Sequence, residues 1–203
     1  MVIMMIIVAG VVWMFKVFTQ SQKLSNSTEN KIQAIQIARE WIEAMKNIRD
    51  TNWILYWSDT ANCWNVINYQ PGCVGILAGN NTTTDISRSN ETYKVYQDPT
   101  SNRWILEEKA TPETLFSNTD YRNEMEVWYD ANWFFTQSWT LIVEELKPLF
   151  TREIQVRYID TNSDSTVDSN DEKMEVTSLV QWVDSSSSEP HKVEFTTVLT
   201  NWK

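Results

Sequence analysis

The chain opens on an uncharged apolar run, Met1 to Phe15 (MVIMMIIVAGVVWMF), which Lys16 and two further apolar residues extend. The run is slightly short of the about 20 residues of a standard spanning helix. From Asn30 to Asn52 the pattern becomes amphipathic. Ile35, Ala38, Trp41, Ile42, Met45 and Ile48 recur at spacings of three and four, which sets a helix-packing stripe on one face. The opposite face carries Lys31, Gln33, Gln36, Arg39, Glu40, Glu43 and Lys46. No Pro or Gly stands between Val11 and Gln70, so one helix could run from the apolar stretch to about Asn52, roughly 75 Å at 1.5 Å per residue. The polar stretch Ser25 to Asn30 is a place for it to fray or bend. Spacing alone leaves one rod, or an anchor, a linker and a separate helix, equally open. Asp50-Thr51-Asn52 is the expected stop.

Past Trp53 the period shifts towards two. Thr92–Tyr96 and Arg103–Glu107 flank a loop of turn formers, 97–102, and predict a hairpin. Alternation over Glu124–Tyr129 (Met125, Val127, Tyr129) and Glu153–Ile159 (Ile154, Val156, Tyr158) predicts further strands. Met174, Val176, Val180 and Trp182, then Val193, Phe195, Thr197 and Leu199, predict two more around a turn at Ser185–Pro190. Late strands joined by short turns favour an antiparallel sheet with one buried face, and the amphipathic helix supplies its cover. The expected class is α+β: a long N-terminal helix, hydrophobic then amphipathic, packed on an antiparallel β-sheet. The expected division is residues 1–29, the hydrophobic helix and polar stretch, and 30–203, a globular unit with helix 30–52 and a β-rich head.

Charge narrows the function. A net charge of −10 and a pI near 4.6 argue against nucleic-acid binding by the head, which needs clustered Lys and Arg. Four glycines and no Gly-x-Gly-x-x-Gly or Walker-type sequence argue against a phosphate-cradling loop. One histidine, His191, leaves little room for histidine-based triads or metal centres. The adjacent pairs Glu107-Glu108 and Glu144-Glu145 cannot face each other on a strand or helix, so paired-carboxylate hydrolysis lacks a constellation. No catalytic residue is assigned, and the chain is read as a non-enzyme.

Cys63 and Cys73 are the only cysteines, and for an exported chain a disulfide between them is the default reading. Loop entropy would give it about 2.5–3 kcal/mol. The stretch Asp160 to Asp171 sets Asp160, Asn162, Asp164, Asp168 and Asp171 at positions 1, 3, 5, 9 and 12 of a twelve-residue loop, with the Thr166 carbonyl at position 7. That is the EF-hand spacing and names calcium as the candidate cofactor. Ser165 replaces the turn glycine, Asp171 replaces the bidentate Glu, and the flanks read as strands, so a solvated loop is the competing reading. Trp53, Trp57 and Trp64, and Trp128, Trp133 and Trp139, form two groups that suit either a binding platform or core packing; core is the preferred reading.

MVIMMIIVAGVVWMFKVFTQSQKL resembles the hydrophobic half of a type IV prepilin helix, and AIQIAREWIEAMKNIRDTNW resembles its amphipathic half. The late segments VTSLVQW and HKVEFTTVLTNW resemble the C-terminal strands of pilin-like proteins of the pilus-modification kind. The resemblance covers about half the chain; the prepilin cleavage motif and its glutamate are absent. It implies a filament subunit, more minor than major, held in the inner membrane before assembly. It also implies other pilin subunits as partners through the N-terminal helix, and an extracytoplasmic head. Lysines only after the apolar run would by the positive-inside rule leave the head in the cytoplasm. Asn-x-Ser/Thr sequons, such as Asn26-Ser27-Thr28, and the cysteine pair oppose that orientation, so a basic leader upstream of Met1 is expected. The alternative is a single-pass surface binding module, stabilised by calcium or using its aromatic clusters.

Overall fold

The computed structural model describes residues 1–67, 86, 91–98, 100–109, 119–129, 135–137, 149–161, 173–184 and 189–201. One helix, α1 (Val2–Leu55), runs unbroken for 54 residues. The polar stretch Ser25–Asn30 is helical throughout, and the helix passes Asn52 before Tyr56 caps it. Its buried face is wider than the periodic stripe. Ala38, Trp41, Ile42, Met45 and Ile48 are buried and Ile35 half-buried, and Ala34, Ile37, Ala44, Arg49 and Asn52 join them. A curled sheet explains the width, because α1 meets β-strands on both of its flanks.

After the short α2 (Thr60–Cys63), the strands are β1 (Glu91–Gln97), β2 (Trp104–Lys109), β3 (Glu126–Tyr129), β4 (Phe135–Thr136), β5 (Phe150–Tyr158), β6 (Lys173–Trp182) and β7 (His191–Thr200). A one-and-a-half-turn helix, α3 (Thr119–Glu124), precedes β3. All pairings are antiparallel. β5 is central: β6 lies along one edge from Phe150↔Trp182 to Tyr158↔Met174, and β7 lies beyond it. On the other edge β1 pairs with Ile154–Val156 and β3 with Phe150–Thr151. β2 then flanks β1, and β4 flanks β3. The β1–β2 turn closes with Asn102 at φ 57, a left-handed conformation that asparagine tolerates better than most residues. The Asp98 carboxylate accepts the Thr100 and Ser101 backbone N–H groups inside that turn.

The core lies between α1 and the helix-facing positions of the sheet. Trp41, Ile42, Met45 and Ile48 pack with Tyr93, Val95, Leu106, Ile154, Val156, Tyr158, Met174, Val176 and Leu199. Nearer the apolar end, Ala34, Ile37 and Ala38 pack with Val127, Phe150, Val180 and Trp182. Strand alternation puts these residues on one face, as expected of a sheet covered by one helix.

β5 departs from simple alternation. Thr151 and Glu153 point away from α1 yet are buried. Tyr121 and Met125, at α3 and just after it, cover that side and pack with Leu179. The central strand is therefore enclosed on both faces from Phe150 to Ile154, while Gln155 and Arg157 open towards solvent on the outer face.

Candidate functional site

The feature with functional content is α1 and its seat. Every large apolar side chain from Met1 to Phe18 is exposed, so nothing among the described residues covers this part of the helix. It is long and apolar enough to cross a membrane. In water such a stripe would be strongly unfavourable, since each side chain left uncovered forgoes about 1.5–3 kcal/mol. Thr19 to Ile32 then forms a largely exposed stalk, with Ser27 and Asn30 half-buried, and from Ala34 the helix enters the head.

The seat contains a buried cation. Arg152 on β5 is 0% exposed, and its guanidinium lies directly over the Trp41 ring of α1. None of its three side-chain nitrogens meets an acceptor among the described residues. Glu40, half-buried one residue before Trp41, is the carboxylate whose field acts on Arg152. Burial pushes the Arg152 pKa well below the usual arginine value, and the Glu40 charge opposes that. Burial also raises the Glu40 carboxyl, with Arg152 offsetting only part of the rise. The two are incompletely matched, and cation–π contact with Trp41 is the closest compensation Arg152 finds.

The far end of α1 is tied down by amides. Asn52 turns inward, and its Nδ2 donates to the carbonyls of Trp64 at 3.3 Å and Val66 at 2.8 Å. The Nδ2 of Asn65 donates to the Tyr158 hydroxyl at 2.6 Å, which in turn donates to the Ile86 carbonyl at 3.2 Å. Trp53 Nε1 donates to Asn201 Oδ1 at 3.2 Å, linking α1 to the end of β7. Cys63 is disulfide-bonded, and the chain has one other cysteine, Cys73. Position 73 lies outside the described residues.

On the opposite sheet face, Glu153 is buried and accepts from the Tyr121 hydroxyl at 2.8 Å and from Gln155 Nε2 at 2.6 Å. Burial raises its carboxyl despite both hydrogen bonds. Burial likewise lowers the Lys94 ammonium, and neighbouring Lys109 adds to the effect. Lys109 bridges Glu107 at 2.7 Å and Glu124 at 3.4 Å. These groups hold α3 against the sheet and form no nucleophile–base pair.

Of the calcium-loop residues, Asp160 is described and half-buried at the end of β5. Asn162, Asp164, Thr166, Asp168 and Asp171 lie outside the described residues. Trp64 is in the core, Trp53 is half-buried, and Trp57 is 81% exposed. Trp128 is half-buried on β3, and Trp133 and Trp139 lie outside the described residues. Sequence reading did not single out Arg152, Glu40 or Asn52 as features of the seat. The cue present was a lone charge, Arg152, at an inward position of a strand that alternates apolar residues. The chain matches no family model, no curated protein and no solved structure.

Proposed function

We propose that the chain is a structural subunit, of the minor kind, of a type IV pilus or related filament. In this reading the helix waits in the inner membrane and is later drawn into a bundle with its neighbours. Lipid contact is exchanged for helix–helix contact, and the head is presented outside the cell for assembly or surface contact. The observation that carries the reading is one rod with two surfaces. α1 is apolar and uncovered from Met1 to Phe18, and the same helix is buried in a sheet from Ala34 to Asn52. An uncovered apolar half needs an apolar medium, and a docked half transmits the position of that medium to the head. The alternative of an anchored binding module would be favoured by a 30–52 helix standing free of the sheet; here that helix is packed.

The test is to express the full reading frame in its native membrane, shear the cell surface, and determine the mature N-terminus by mass spectrometry. The expected result is the protein in the sheared filament fraction with a processed, methylated N-terminus. A chain that stays wholly in the membrane fraction, starts unprocessed at Met1 and never appears in sheared material would overturn the proposal.

A further inference from the structure

β7 is paired along its length with β6, from Trp182↔His191 to Lys173↔Thr200, and with no other strand among the described residues. The backbone donors and acceptors on its far side, from Val193 to Thr200, find no partner among the described residues. Edges of this kind template pairing with another chain. Proteins usually blunt them by shortness, a proline, a bulge or inserted charge. β7 has ten residues, HKVEFTTVLT, with no proline or glycine and an unbroken register. Its Lys192 and Glu194 stand near one end, and Phe195 to Thr200 carries no charge. Lys192, Glu194, Thr196 and Val198 are exposed on the outer face, while Val193, Phe195 and Thr197 are half-buried towards α1.

We propose that the open edge of β7 is a strand-addition site, which takes an extended, mainly uncharged segment of a partner polypeptide as the next strand of the sheet. Main-chain hydrogen bonds would supply the affinity and alternate side chains the selectivity. The pattern β6 sets on the other edge is the guide: a small polar residue beside Phe195 and Thr196, as Ser178 and Thr177 are, and an apolar one beside Leu199, as Met174 is. A second copy pairing antiparallel is disfavoured by the direction of β7. Val193 packs against the cluster that holds Ala34, Ile37 and Ala38, Arg39 lies over the Phe195 ring, and Asn201 bonds Trp53, so β7 runs alongside α1 in the same sense. Inverting the strand would invert α1, which two copies anchored in one membrane cannot do. That exclusion rests on the membrane reading above; the open edge does not.

The test uses the full chain in detergent and a capped peptide with the sequence of β6, KMEVTSLVQW, the strand the fold itself lays against β7. Amide hydrogen exchange of Phe195–Thr200 is followed with and without it. The expected result is slowing of at least tenfold at alternate β7 amides. Of two versions N-methylated on opposite alternating residues, one should lose the effect and the other keep it. The proposal fails if those amides are already protected in the free chain, or if the peptide has no effect. It also fails if both N-methylated peptides protect equally, or if a cysteine at Thr196 (Thr196→Cys) cross-links two copies of the chain.

Discussion

Arg152 shows how a single side chain shapes the energetics of the seat. Its guanidinium is enclosed between β5 and Trp41 without an acceptor among the described residues, and Glu40 faces it only partly. Replacing such a cation by an apolar residue of similar volume is often neutral or stabilising, by about 1–4 kcal/mol. Arg152→Met should therefore keep or raise the denaturation midpoint, whereas Trp41→Ala should cost about 3–5 kcal/mol, the range for a buried aromatic. Urea titrations of the two variants check both. Acid titration should reveal the buried carboxyls. Burial raises Glu40 and Glu153 above 4.5, so the folded chain holds their protons more tightly than the unfolded one. The stability they contribute is then complete below about pH 4.5 and is lost as the pH rises through their raised values. Glu153→Gln should flatten part of that decline in stability measured from pH 4 to 7. An unchanged slope would count against a raised Glu153.

At the scale of elements, α1 is uneven along its length. From Thr19 to Gln33 no residue is fully buried, only Ser27, Asn30 and Gln33 being half-buried, and the stretch contains Ser25, Asn26, Ser27 and Thr28, all poor helix formers. Thr19 and Thr28 return their hydroxyls to the carbonyls of Phe15 and Leu24, a pairing that loosens and bends helices. Amide exchange should be fast over 19–33 and slow over 37–48. Alanine at positions 25, 26 and 28 together should stabilise the stalk by about 1–2 kcal/mol, read as slower exchange there. β1, β2, β5, β6 and β7 were legible because each spans six or more residues with an apolar inner set; β3 was read two residues early, from the end of α3, and the two-residue β4 carried no pattern to read. The long helix was legible as a pattern, but its continuity was not, since the polar stretch carries no packing signal either way. Asn52 read as part of a stop because asparagine favours helix ends. Here its amide is spent on the Trp64 and Val66 carbonyls instead, and α1 continues to Leu55. α3 escaped because six residues hold too few periodic positions. With it went the burial of Thr151 and Glu153, which no strand pattern announces.

For the whole molecule, the apolar half of α1 should decide where the chain resides. An aspartate at Val8 would cost about 2.5–3.5 kcal/mol at the centre of a bilayer. Val8→Asp should therefore shift the protein from the alkaline-resistant membrane fraction towards the extractable one, while the head keeps its near-ultraviolet tryptophan signature. Retention equal to that of the parent would mean that this half of the helix is not what holds the chain. The unbroken helix has one more consequence. While its 19–33 stretch stays helical, α1 joins the exposed apolar end to the Trp53–Asn201 contact and works as a lever. Pivoting at Phe18, a tilt of about 10° moves the Leu55 end by roughly 10 Å, given 1.5 Å of rise per residue. A small rearrangement in the surrounding medium would be read out at the head as a displacement about as large as the spacing between packed helices.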